Sequence, residues 1–202
     1  MTTPGLLLVA IVVLLAVHLA SDAAGAMVPR AAGKVGASVA FLLLGLAAGL
    51  DTPFRRLIAG GLVLSVAGDA LLLSRRRPAF LAGLGAFLLA HLAYAAAFAP
   101  RASPTAGAAV ALGAVSALVL RWLWPHLGSM KAPVIAYCLA ISVMLWLALG
   151  VAQPEVRLGA LLFYGSDLFV ARDRFASPGA VNRLLGLPLY YAAQVLLAMA
   201  PG

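Results

Sequence analysis

Residues 54–77 read FRRLIAGGLVLSVAGDALLLSRRR. Between Arg55-Arg56 at one end and Arg75-Arg76-Arg77 at the other, the only ionisable side chain is Asp69, lodged directly behind Gly68. At about 20 residues, a run of this length and polarity can cross a bilayer as a helix. A carboxylate inside such a span is costly and has to be paired, protonated or exposed to water, so Asp69 is a functional candidate by default. A second stretch has the same design: the apolar segment 157–171 carries Asp167 behind Gly165-Ser166 and runs into Arg172 and Arg174.

Composition extends this reading to the whole chain. Hydrophobic residues make up 64% of the sequence, charged residues 10%, and the mean hydropathy is +1.07, whereas soluble domains carry roughly 45–50% apolar and about 25% charged residues. An ordinary soluble fold is excluded. Charged residues and prolines divide the chain into eight apolar segments, 4–20, 35–50, 54–73, 79–99, 105–124, 132–151, 157–171 and 184–200, of which the second and seventh are short for a span. The first lacks the basic n-region of a signal peptide and counts as a span. Connections are short, so the expected fold is all-α: a polytopic membrane protein with eight transmembrane helices in an up-and-down bundle, one domain over residues 1–202.

Loops on the side of the termini hold Arg55, Arg56, Arg101 and Arg157, and loops on the opposite side hold the other ten of the 14 basic residues. Cytoplasmic loops carry the Lys/Arg excess, which predicts a cell (inner) membrane protein with both termini outside. The net charge of +8 follows from that topology and from attraction to anionic membrane lipids, and needs no nucleic-acid partner. The lone Cys138 excludes an intrachain disulfide. His18, His91 and His126 fall in separate segments, so no metal or other cofactor is expected. Ser166 has no neighbouring base in sequence, and no hydrolase elbow or phosphate-binding loop is present.

Alternating spans place the polar residues at related depths. The third and seventh both run inward, which puts Asp69 and Asp167 each about 6 Å from a cytoplasmic helix end. Lys34 opens the second span from that side, Tyr137 lies about a turn into the sixth, and Tyr190 and Tyr191 fall in the first turns of the eighth. His91 and Tyr94 share one face of the fourth span, deeper toward the middle of the bilayer. A polar cavity open to the cytoplasmic leaflet would collect them. Plainer roles exist for each: Lys34 as a structural partner of an aspartate, His91 as a packed bundle histidine, the tyrosines as interface residues. Asp22, Asp51, Glu155 and Asp173 read as solvated loop carboxylates, and Arg75-Arg76-Arg77 as a topological anchor.

At these residues the chain resembles a known family. Gly68-Asp69-Ala-Leu-Leu-Leu, Phe80 through His91-Leu-Ala-Tyr94, Gly159 through Gly-Ser166-Asp167, and Tyr190-Tyr-Ala-Ala-Gln194 are similar in order and spacing to the YhhN family of lysoplasmalogenases. The resemblance implies an eight-helix membrane hydrolase that cleaves the vinyl ether bond of a lysophospholipid, lysoplasmenyl-ethanolamine or -choline, to a fatty aldehyde and a glycerophospho-alcohol. It implies Asp69 and Asp167 as the catalytic acids. Lys34, His91, Tyr94, Tyr137, Ser166, Tyr190 and Gln194 are then candidates to bind substrate or support the acids, with Lys34 meeting the phosphate. Family members often have Lys-Pro where this chain has Lys34-Val35.

The chemistry suits two carboxyls. Protonation of the alkene carbon by an acid gives an oxocarbenium ion, water attacks it, and the hemiacetal collapses. Two carboxyls in a low-dielectric site cannot both ionise cheaply, so one holds the proton while the other stabilises the cation and orients water. The sequence does not assign the two roles. Two other classes also use paired membrane aspartates. One is an intramembrane aspartyl protease, whose Gly-x-Gly-Asp element is here Val66-Ala67-Gly68-Asp69; the other is a proton-coupled transporter.

Overall fold

The computed structural model describes residues 2–74 and 76–202. Arg75, one of the three anchor arginines, lies outside the described residues, as does Met1. The described residues form eight α-helices and no β-strand: α1 Thr3–Ala23, α2 Met27–Ala47, α3 Pro53–Leu71, α4 Arg77–Phe98, α5 Ala106–Leu123, α6 Lys131–Leu149, α7 Pro154–Ala171 and α8 Ala180–Met199.

With the short turns that continue them, α1, α2, α4, α5 and α6 are long and apolar enough to cross a membrane. Each of the other three carries several charged or amide side chains. Asp69 joins Arg55 and Arg56 on α3, Asp167 joins Glu155 and Arg157 on α7, and α8 holds Asn182, Arg183 and Gln194.

Helices α2, α3, α4, α6, α7 and α8 pack in that order around a common core, and α8 closes the ring on α2. α1 lies outside against α2, and α5 lies outside against α6. The chain therefore falls into two corresponding halves, α1–α4 and α5–α8. In each, the first helix is peripheral, and the fourth packs against the second helix of the other half.

Several boundaries differ from the sequence reading, and three of them move site residues along their helices. α8 starts at Ala180, not at residue 184, so Tyr190 lies about three turns inside it. α2 starts at Met27, not at residue 35, and is 21 residues long. Its third residue is Pro29, which a first helical turn accepts because the missing N–H has no partner there anyway. Lys34 consequently lies two turns inside α2 and does not open it. α3 stops at Leu71, so Asp69 is about 3 Å from its end while Asp167 is about 6 Å from the end of α7.

Close approach between neighbours depends on small residues. A Cβ on Gly68 would run into the ring of Phe87, and one on Gly61 into the ring of Tyr94, so both glycines let α4 lie tight against α3. Phe87 and Phe163 meet the ring of Tyr190 edge-on at 5.8 and 5.4 Å. That packing fixes the tyrosine in a dense aromatic core.

Candidate active site

Asp69 is held by side chains of two neighbouring helices, α2 and α8, and is 1% exposed. Lys34 Nζ, from α2, stands 3.1 Å from its Oδ1. Its Oδ2 accepts the hydroxyl of Tyr190, from α8, at 2.6 Å and that of Ser38 at 2.7 Å. Lys34 and Ser38 are four residues apart on α2, so both face α3. Tyr191 completes the cluster by donating its hydroxyl to the Lys34 carbonyl at 3.0 Å.

Asp167 is held differently. Its Oδ2 accepts the hydroxyl of Tyr137, from α6, at 2.6 Å, and His91 Nε2, from α4, lies 3.7 Å from the same oxygen. No Lys or Arg is paired with Asp167 among the described residues, and its side chain is 16% exposed against 2% for Asp69.

Both aspartates line one cavity of about 470 Å³, together with Lys34, Tyr137 and Tyr190. Leu84, Phe87, Leu120, Leu123 and Ile141 make an apolar wall, and His18, Asp22, Arg30, Asp173, Arg174 and Arg183 also line the cavity. These last residues come from the ends and connections of α1, α2, α7 and α8, which sets the mouth at that end of the bundle.

The mouth corrects the reading of Asp22 and Asp173 as solvated loop carboxylates. Asp22 bridges Arg30 at 3.3 Å and Arg183 at 2.6 Å, and Arg183 reaches Asp173 at 3.4 Å. Asn182, 2% exposed, accepts from Arg172 at 2.6 Å and donates to Asp173 at 3.1 Å. A π-helical turn, Arg172–Ala176, carries Asp173 and Arg174 past the end of α7. His18 donates from Nδ1 to the Arg30 carbonyl at 2.8 Å.

Of the residues singled out from sequence, Ser166 lines the cavity but gives its hydroxyl to the Phe163 carbonyl at 2.8 Å. His91, Tyr94 and Gln194 are fully buried and form a layer behind the cavity. Tyr94 donates to Gln194 Oε1 at 2.8 Å. His91, expected deeper than the aspartates, lies beside Asp167, its Nε2 3.7 Å from Oδ2. Lys34, expected to meet a phosphate, is instead engaged with Asp69. Ser38 went unrecognised in the sequence, as did the pairing of Asp22 and Asp173 with the arginines of the mouth. Ser38 has one usable signal, its position one turn beyond Lys34. Among the described residues, no group of three or more His, Cys, Asp or Glu side chains is placed to hold a metal ion.

Residues 30–200 match the model of the YhhN family. The chain belongs to the YhhN family. Its relatives include a lysoplasmalogenase of Mycobacterium bovis, 39% identical over 157 residues that cover 71% of this chain and 59% of that protein. Human lysoplasmalogenase TMEM86B is 39% identical over 73% of this chain and 64% of its own length. Bovine lysoplasmalogenase TMEM86A is 36% identical over 75% and 67%. This YhhN chain thus spans about three fifths of the first of these relatives. No solved structure matches it.

Proposed function

We propose that this YhhN protein is a lysoplasmalogenase that hydrolyses the vinyl ether bond of a single-chain phospholipid by acid catalysis. The observation that carries the proposal is the asymmetry of the two acids on one cavity: Asp69 has a Lys partner, and Asp167 has no Lys or Arg partner among the described residues.

All three partners of Asp69 donate, and one is charged. That is the environment of an ionised, acceptor-only carboxylate. Asp167 keeps Oδ1 free of any hydrogen bond among the described residues, on a side chain that lines the cavity, and is suited to carry the proton there as general acid.

The reaction then runs as follows. Asp167 delivers its proton to the alkene carbon remote from the ether oxygen, leaving an oxocarbenium ion. Asp69 offsets the positive charge and orients the attacking water, and the proton that water loses restores Asp167. The hemiacetal hydroxyl passes its proton to the glycerol oxygen as the C–O bond breaks. One water is consumed and no redox partner is needed. Tyr137 and Tyr190 hold the two carboxyls in place.

The substrate's headgroup sits at the mouth against Arg30 and Arg183, and its chain runs along the apolar wall. In this reading all eight helices span the cell (inner) membrane, residues 1–202 form one membrane domain, and both termini are outside, so the mouth opens to the cytoplasmic leaflet. Support for that side comes from the basic residues, ten against four in sequence, and nine against four once Lys34 is counted inside α2.

Purified protein in detergent, with no gradient, tests the proposal. It should release aldehyde from a lysoplasmalogen and leave the matching ester and saturated ether lysolipids intact. Release of fatty acid from the ester would instead require a nucleophile and would overturn the vinyl ether assignment.

A further inference from the structure

The two halves of the bundle build their acids by the same rule. Asp69, on the third helix of the first half, is met by Lys34 from the second helix of that half and by Tyr190 from the fourth helix of the other. Asp167, on the third helix of the second half, is met by Tyr137 from its own second helix and by His91 from the fourth helix of the other. His91 therefore holds the place at Asp167 that Tyr190 holds at Asp69.

The two contacts differ in one respect. Tyr190 donates to Asp69 at 2.6 Å, whereas His91 Nε2 stops 3.7 Å from Asp167 Oδ2, beyond hydrogen-bond range. His91 is 0% exposed, and its Nε2 has no hydrogen-bond partner among the described residues. Phe163 and Tyr137 pack edge-on against its ring, with centroids at 4.6 and 5.2 Å. A buried imidazole nitrogen left unpaired costs roughly 1–3 kcal/mol, and an apolar side chain would fill this place without that cost. Its polarity fits a state in which the carboxyl beside it has changed.

Proton delivery is that change. Once Asp167 gives up its proton, Oδ2 becomes part of a full carboxylate with one hydroxyl donor, Tyr137, and no Lys or Arg partner among the described residues. Closing the Nε2 to Oδ2 separation from 3.7 Å to about 2.9 Å takes less than about 1 Å of ring movement. We propose that His91 is the positioning residue of Asp167, its Nε2–H closing on Oδ2 as the proton leaves and holding the new carboxylate until water restores it. The inference rests on the reading of Asp167 as the general acid. His91 reaches no cavity surface and acts only through Asp167.

Two variants of the full-length protein separate this role from packing. His91→Gln keeps an N–H donor of similar reach, and His91→Leu fills the space with apolar atoms. A donor aimed at developing charge is worth about 100-fold or more in kcat. His91→Leu should therefore lose about 100-fold in kcat on a vinyl ether lysolipid at unchanged KM, and His91→Gln should recover most of the loss. If His91→Leu does not fold, His91→Met takes its place. Packing alone gives the opposite order, because an unpaired amide fits an apolar pocket worse than leucine does. An active wild type in which His91→Leu equals or exceeds His91→Gln overturns the inference alone. A wild type that releases no aldehyde overturns the reading of Asp167 as well.

Discussion

The ammonium of Lys34 stands 3.1 Å from the carboxylate of Asp69, two turns inside α2, and their side chains are 13% and 2% exposed. Two charges so placed are tolerable only as a pair, because each alone would carry its full desolvation cost. In the proposed mechanism this pairing keeps Asp69 charged and compensated and leaves the proton to Asp167, whose hydroxyl partner Tyr137 carries no charge.

Replacing either acid should stop turnover, with different effects on the fold. Asp69→Asn and Asp167→Asn are each expected to lower kcat at least about 100-fold, the range for loss of a general acid or its charge partner. Asp69→Asn strands the ammonium of Lys34 and should cost about 3 kcal/mol or more in stability. Asp167→Asn keeps an acceptor for Tyr137 and should cost about 1 kcal/mol. Turnover and thermal unfolding in the same detergent check both parts. Near wild-type turnover in either variant would make that aspartate structural.

Lys34→Gln should lower kcat and leave KM nearly unchanged, since the lysine acts on Asp69 and not on the lipid. Steady-state kinetics over a range of lysolipid concentrations read the split. A raised KM at unchanged kcat would return Lys34 to the headgroup role that its place in the sequence suggested.

How far the site could be read ahead of the structure follows from which forces fix each residue. That Asp69, Asp167, Tyr137 and Tyr190 would meet at one cavity was legible because alternating spans bring their ends to one side of the bundle, although the helix ends shift the individual depths. The position of Lys34 was misjudged because Pro29 and Arg30 look like loop, although a first helical turn accepts both. Asp22 and Arg183 are 161 residues apart, and only the packing of α1 against α8 brings them together. The difference between Asp69 and Asp167 was also out of reach, since it depends on which ring neighbour supplies Lys34 and which supplies Tyr137. The ring itself, in which α4 packs against α6 while α5 lies outside, departs from the sequential neighbours that short loops suggest.

The arginines at the mouth should govern binding. Arg30→Gln and Arg183→Gln are expected to raise KM with little effect on kcat, and added salt should raise the wild-type KM by screening the same charges. Each substitution also releases one oxygen of Asp22, so the two together should exceed either alone. Unchanged KM in both would remove the headgroup from this end of the cavity.

Orientation can be read without activity. Reporter fusions at Gly202 and beside Arg76 should give opposite answers, outside for the C-terminus and cytoplasmic for the loop between α3 and α4. A cytoplasmic C-terminus would move the cavity mouth to the other leaflet and leave the chemistry unchanged.

The central claim is that Asp167 protonates carbon, and the label carried by the product tests it most directly. Turnover of a lysoplasmalogen in deuterated water, with the aldehyde trapped at once and analysed by mass spectrometry and for configuration, should give one deuterium at aldehyde C2 in a single configuration. One acid on one wall of the cavity can deliver to only one face of the alkene. Deuterium of mixed configuration would mean that an enol left the enzyme and was protonated in solution. Aldehyde without deuterium would mean that carbon was never protonated by a solvent-exchanged acid. Either result would contradict catalysis by Asp167.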